Sequence, residues 1–211
     1  MPARLALDLA RRGMKVEAVN AGVRGYAAGQ YPALVEKSLV LRPALLVLVL
    51  TVVNDPEIHQ WRPSSQRLTA MEKAWWVKLP FAKLLMGPAY AAEINRLWIE
   101  HVQKLYDPAG PDWQPFLADL REVKDLCGRA DVPLLVVVFP MVGPEVRFAQ
   151  EEGKLERTLT AVGFDWVSPR AAIDRLPPEK QVVSPQDFHP GPAAAAAAAK
   201  MIAERAAKLL R

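Results

Sequence analysis

The sequence has a single cysteine, Cys127, so it forms no internal disulfide and fits a reducing compartment. It has no long hydrophobic run: the longest, Ala44 to Val53, falls short of the roughly 20 apolar residues that a membrane-spanning helix needs. Residues 1–30 hold no apolar signal-peptide core, so the cytoplasm is the default expectation, one that an incomplete amino terminus weakens. A glycine-rich phosphate loop is missing, and with it the commonest nucleotide-binding signature of an α/β domain. The histidines, His59, His101 and His189, lie far apart without ligand spacing, so neither a metal nor another cofactor is expected. No basic run is interleaved with stacking aromatics. The formal charge is +4, but Lys and Arg are scattered along the chain, many on polar faces of predicted helices, and no nucleic-acid partner is expected.

What is present is the composition of a water-soluble globular domain, 51% apolar and 24% charged over 211 residues, long enough for one full core. Its organising stretch is Ala44 to Asp55, ALLVLVLTVVND. Apart from Ala44 and Thr51, every residue of 44–53 is Leu or Val, the pattern of a strand buried on both faces of a parallel sheet. It ends in Asn54, Asp55 and Pro56. In open α/β sheets ligands bind at the carboxyl ends of the strands, so Asn-Asp is delivered where chemistry is done.

In chain order, the apolar spacing of Pro2 to Arg12, closed by Gly13, predicts a helix. A short strand is expected at Lys15 to Val19, then a loop, Asn20 to Tyr26, whose glycines permit positive φ or close backbone approach. Tyr31 to Leu41 reads as a helix before the central strand. Alternating helix and strand implies a parallel sheet. From Pro56 to about Pro111 the alternation breaks into a helical insertion bearing Trp61, Trp75, Trp76 and Trp98. Within it Ala91 to Leu105 is an amphipathic helix, with His101 on its apolar face and expected in the core. The stretch from Ala74 to Ala92, broken by Pro80 and Pro88, suits a lid, a membrane-surface contact or an insertion packed on the domain, and the last is favoured. Further on, Asp112–Ala130, Glu145–Val162 and Gly191–Leu210 read as helices, the first placing Cys127 inward, and Pro133–Phe139 and Phe164–Val167 as strands. The alanine run 193–199 has the highest helix propensity available. No internal repeat or linker divides the chain.

Asp187 and His189 fall on a predicted loop just before the last helix. A carboxylate beside an imidazole fixes its tautomer and stabilises its protonated form, as a general base for a hydroxyl nucleophile requires. A glycine loop after one strand and an asparagine after the next each offer a donor to a developing oxyanion.

Together these blocks resemble the SGNH/GDSL family of ester hydrolases. NAGVRGY (residues 20–26) is similar to the family's second block, VVND (52–55) to its third, and SPQDFHP (184–190) to its fifth. The resemblance implies a flavodoxin-like three-layer α/β/α fold with a parallel sheet. It also implies an oxyanion hole from the Gly25 N–H and the Asn54 side chain, and a catalytic Asp187–His189 pair. Asp187 stands two residues before the histidine, where three is the family's commoner spacing. The family's Gly-Asp-Ser block is missing from this chain, and Ser38, Ser64, Ser65, Ser168 and Ser184 are not convincing replacements. The expectation is therefore a single domain over 1–211, incomplete at its amino terminus and lacking its first strand. That strand would lie between the strand at Lys15 and the one at Ala44. The implied activity is serine ester hydrolysis through an acyl-enzyme on a small-molecule or glycan acyl ester, with negligible turnover from this chain alone. The alternatives are a non-catalytic acyl- or glycan-binding module, an O-acyltransferase accessory domain, or a partner-binding domain that uses the tryptophan-rich insertion.

Overall fold

The computed structural model describes residues 2–57, 64–73, 81–142, 148–184 and 187–211. It is an α/β structure built on a parallel sheet of three strands in the order β1 (Leu46–Thr51), β2 (Leu134–Phe139), β3 (Asp165–Val167). β1 and β2 pair in register from Leu46↔Leu134 to Thr51↔Phe139. Side chains alternate across a strand, so each strand serves two cores. Leu48 and Leu50 of β1 join Val136 and Val138 of β2 on one face, covered by α2 (Tyr31–Leu39), α4 (Ala82–Leu105), α5 (Trp113–Arg129) and α6 (Ala149–Val162). On the other face Leu135, Val137 and Phe139 pack with α1 (Pro2–Ala10), α7 (Arg170–Ile173) and the alanine-rich α9 (Pro192–Leu209), with Val47 and Val49 against them. The small side chains Ala194, Ala198, Ala199, Ala203 and Ala206 are fully covered and let α9 lie close to its neighbours. Cys127 is buried in the first core, and burial pushes its thiol pKa up.

Among the described residues between β1 and α5, α3 (Gln66–Lys73) precedes α4. Pro88 does not break it. It lies inside α4, which runs unbroken from Ala82, so the helix gives up one backbone donor in its second turn without ending. Trp61, Trp75 and Trp76, on which the lid and membrane-surface readings depend, lie outside the described residues. His101 is half-buried on α4, its Nε2 3.5 Å from Glu57 Oε1. Among the described residues, no helix is long and apolar enough to cross a membrane.

Two expectations need correction. Lys15–Val19 is not a strand: it alternates in exposure as a half-buried strand does, but it joins no ladder among the described residues. A strand needs a partner, and among the described residues β1 pairs only with β2. Asp187 and His189 are not on a loop. They lie on β5 (Asp187–Pro190), which pairs antiparallel with β4 (Val182–Ser184) after the short helix α8 (Pro178–Gln181).

Candidate active site

The carboxyl end of β1 turns sharply over residues 52–56. Asn54 is exposed in this turn and its carbonyl accepts the Glu57 N–H at 3.1 Å. The turn is held by Asp55, which is 4% exposed. Its carboxylate accepts hydrogen bonds from the Tyr31 hydroxyl, from the Thr51 N–H and from Thr51 Oγ1, the last at 3.0 Å. Burial pushes the Asp55 pKa up to about 6, and the bonds from Tyr31 and Thr51 pull it back. The same burial, together with the Asp55 charge, pushes the Tyr31 hydroxyl well above its ordinary value, so Tyr31 remains a donor. A further bond, from the Tyr106 hydroxyl to the Val52 carbonyl at 3.0 Å, fixes the turn from the insertion side.

The glycine loop is tied to this turn. The Ala28 N–H donates to the Asp55 carbonyl at 3.0 Å, and the Ala27 N–H to Gln30 Oε1 at 2.8 Å. Upstream, the Gly22 N–H donates to Asn20 Oδ1 at 3.1 Å. Gly25 has φ +81°, a conformation that strains any residue with a Cβ, and a Cβ built there would meet no atom within 4 Å. Gly25 and Asn54, the expected oxyanion donors, thus sit on two segments that meet at Asp55, the loop side through its backbone carbonyl and the turn through its carboxylate. Asp55 was legible in the sequence only as the polar stop of a buried strand, and nothing there pointed to Tyr31 as its partner.

The second half of the site is the β4–β5 hairpin. The Asp187 N–H donates to Ser184 Oγ at 3.1 Å, the His189 N–H to Asp187 Oδ1 at 3.0 Å, and His189 Nδ1 lies 2.6 Å from the same oxygen. The His189 backbone N–H, and then its ring, hold the Asp187 carboxyl below the usual carboxylate range. The His189 side chain is 86% exposed, so its ring is fixed at Nδ1 and open to solvent. Gly191 follows. A Cβ there would stand 2.6 Å from the Val182 carbonyl oxygen, so only glycine lets the start of α9 approach β4 this closely.

The structure therefore joins Asp187 to His189 directly, and Asn54 to the Gly25 loop through Asp55. Among the described residues no hydrogen bond connects the two halves. The serines are engaged elsewhere: Ser38 Oγ donates to the Leu34 carbonyl, Ser65 Oγ caps α3 at Leu68 and donates to Glu93, and Ser168 Oγ accepts the Arg170 N–H. Ser184 accepts from Asp187, and Ser64 is exposed. No hydroxyl among the described residues hydrogen-bonds the His189 ring.

A partly buried ion pair adjoins the carboxyl end of β2. Arg170 grips Glu152 through Nε to Oε2 at 2.7 Å and Nη2 to Oε1 at 2.6 Å, while the Met141 N–H donates to Glu152 Oε1 at 3.0 Å. Desolvation raises the Glu152 pKa against the pull of Arg170. The pair fixes the end of β2 to α6 and α7. Its sequence signal was weak, a glutamate on an inward helical row. Among the described residues no three metal-ligating side chains come together. No family model matches the sequence, and no curated protein or solved structure matches it either.

Proposed function

We propose that this chain carries the base and the oxyanion donors of an SGNH/GDSL-type serine ester hydrolase, whose nucleophile belongs to polypeptide outside residues 1–211. The observation that carries the reading is the Asp187–His189 pair, 2.6 Å apart, with the imidazole anchored at Nδ1 and otherwise open. A carboxylate at Nδ1 places the proton there and leaves Nε2 as the base. In the proposed mechanism a serine hydroxyl attacks the ester carbonyl as Nε2 takes its proton. The resulting oxyanion is held by the Gly25 N–H and the Asn54 side-chain amide. Collapse of the tetrahedral intermediate expels the alkoxide, which receives the proton back from His189, and water repeats the sequence on the acyl-enzyme. The three-stranded parallel sheet with helices on both faces suits the flavodoxin-like arrangement of that family.

A second reading, a non-catalytic acyl- or glycan-binding module, is favoured by one observation: Ser38, Ser65, Ser168 and Ser184 bond to other groups, and no described serine bonds to the His189 ring. Hydrolysis of p-nitrophenyl acetate separates the two. The polypeptide that includes the residues its gene encodes upstream of Met1 is expected to turn over the ester. His189→Ala should lower that rate by at least about 100-fold, the lower end of what a positioned base contributes. Equal rates in the His189→Ala form, or no turnover by the longer polypeptide, would remove the catalytic reading and leave the binding module.

A further inference from the structure

The partners of the buried Asp55 carboxylate are all donors. Its Oδ1 accepts the Tyr31 hydroxyl, and its Oδ2 accepts both the Thr51 N–H and Thr51 Oγ1. Its backbone carbonyl takes the Ala28 N–H at 3.0 Å, the bond that ties the glycine loop to the turn carrying Asn54. Between Ala28 and Tyr31 lies only the short helical turn Ala28–Gln30, which runs straight into α2. One short segment is therefore held against Asp55 at both of its ends. A displacement of Tyr31 pulls on Ala28.

Adding a proton to this carboxyl conflicts with its surroundings. The site then holds four hydrogens where it held three, and one partner has to turn from donor to acceptor. Oδ2 already takes two hydrogens, one from an amide that has no lone pair to offer, so the proton goes to Oδ1 and Tyr31 accepts it. Among the described residues the Tyr31 hydroxyl bonds only Asp55, and Tyr31 is 8% exposed, so its own hydrogen is left buried without an acceptor. A buried donor in that position is costly, and the ring relieves it by turning its hydroxyl toward water. The other ionisable groups around the turn do not compensate. From α4, Tyr106 bonds the Val52 carbonyl, and beyond it stand Glu151 and Glu152 of α6, the latter held by Arg170 of α7. On the turn itself Glu57 lies 3.5 Å from His101, and Asp119 of α5 stands beside Gly29. Among the described residues no ion pair involves Asp55.

We infer that the Asp55 carboxylate is a proton-operated latch: ionised, it holds Tyr31 and the Ala28 end of the glycine loop against the Asn54 turn, and protonated, it releases them. Burial pushes its pKa up to about 6, which places the change in mildly acid water. The inference rests on these hydrogen bonds and not on hydrolysis, so either can fail without the other. Hydrogen exchange at the Ala28 amide tests it, with each rate divided by that of an unstructured amide at the same pH. Protection is expected to be about 10-fold lower at roughly pH 5 than at roughly pH 7.5, the signature of a local opening. Asp55→Asn, which replaces the carboxylate with a neutral group of the same shape, should show the lower protection at both pH values. Tyr31→Phe has no hydroxyl to turn and should show no difference between them. Histidine titrates in the same range, so the effect should survive His59→Gln, His101→Gln and His189→Gln, each made singly. Equal protection of Ala28 at the two pH values would overturn the inference. So would a pH effect that persists in Asp55→Asn or Tyr31→Phe, or one that disappears with any of the histidines.

Discussion

At Asp55, burial and hydrogen bonding pull on one proton in opposite directions. Its pKa rises from 3.8 to about 6 because burial outweighs the donors, so the folded state binds the proton more tightly than the unfolded chain. The stability this group contributes is therefore fully present below about pH 4 and is lost as pH rises through about 6. Over that window the loss approaches about 3 kcal/mol, at 1.36 kcal/mol per pKa unit. Urea unfolding at a series of pH values should show this slope and should show it abolished in Asp55→Asn. Tyr31→Phe removes the hydroxyl donor from a buried carboxylate and should cost about 1–3 kcal/mol near neutral pH, read from the urea midpoint. His189 is the opposite case. Its side chain is 86% exposed, so His189→Ala should change unfolding free energy by less than about 0.5 kcal/mol while abolishing ester turnover. A large loss of stability in that variant would make the pair a structural element of the hairpin and not a catalytic one.

At the scale of elements, the clamp between α6 and α7 and the approach of α9 to β4 decide how firmly the sheet's carboxyl edge is held. Arg170→Ala would leave Glu152, 3% exposed, charged and without its guanidinium, at a cost of about 3–5 kcal/mol in thermal or urea unfolding. Replacing both residues with methionine should recover most of that loss, because the buried charge goes with its partner. Gly191→Ala forces its Cβ against the Val182 carbonyl and should destabilise by more than about 1 kcal/mol, shifting His189 two residues away and lowering turnover with it.

The helices and the two long strands were legible in the sequence because their periodicity extends over many residues: α5 bears Trp113, Phe116, Leu120 and Val123 at helical spacing, and β2 is a continuous apolar run. The β4–β5 hairpin was not, since each arm has only three or four residues. Lys15–Val19 showed the alternation of a strand without the neighbour that makes one, which no local pattern reports. Of the candidate site, Asp187, His189, Gly25 and Asn54 were visible as residue types in order along the chain. The pairings of Asp55 with Tyr31 and of Glu152 with Arg170 were not, because they arise from contacts between distant segments.

Among the described residues, two apolar cores flank a sheet whose first strand is unpaired on one edge, and the candidate catalytic groups lie in two fastened but separate halves. In the proposed hydrolase, the serine supplied from outside residues 1–211 would join those halves. The most direct measurement is covalent capture: treat the polypeptide that includes its upstream gene-encoded residues with a fluorophosphonate ester, digest it and locate the adduct by mass spectrometry. The account predicts one phosphonylated serine, upstream of Pro2, with labelling lost in His189→Ala. An adduct on a serine within residues 1–211, or equal labelling of the His189→Ala form, would contradict it.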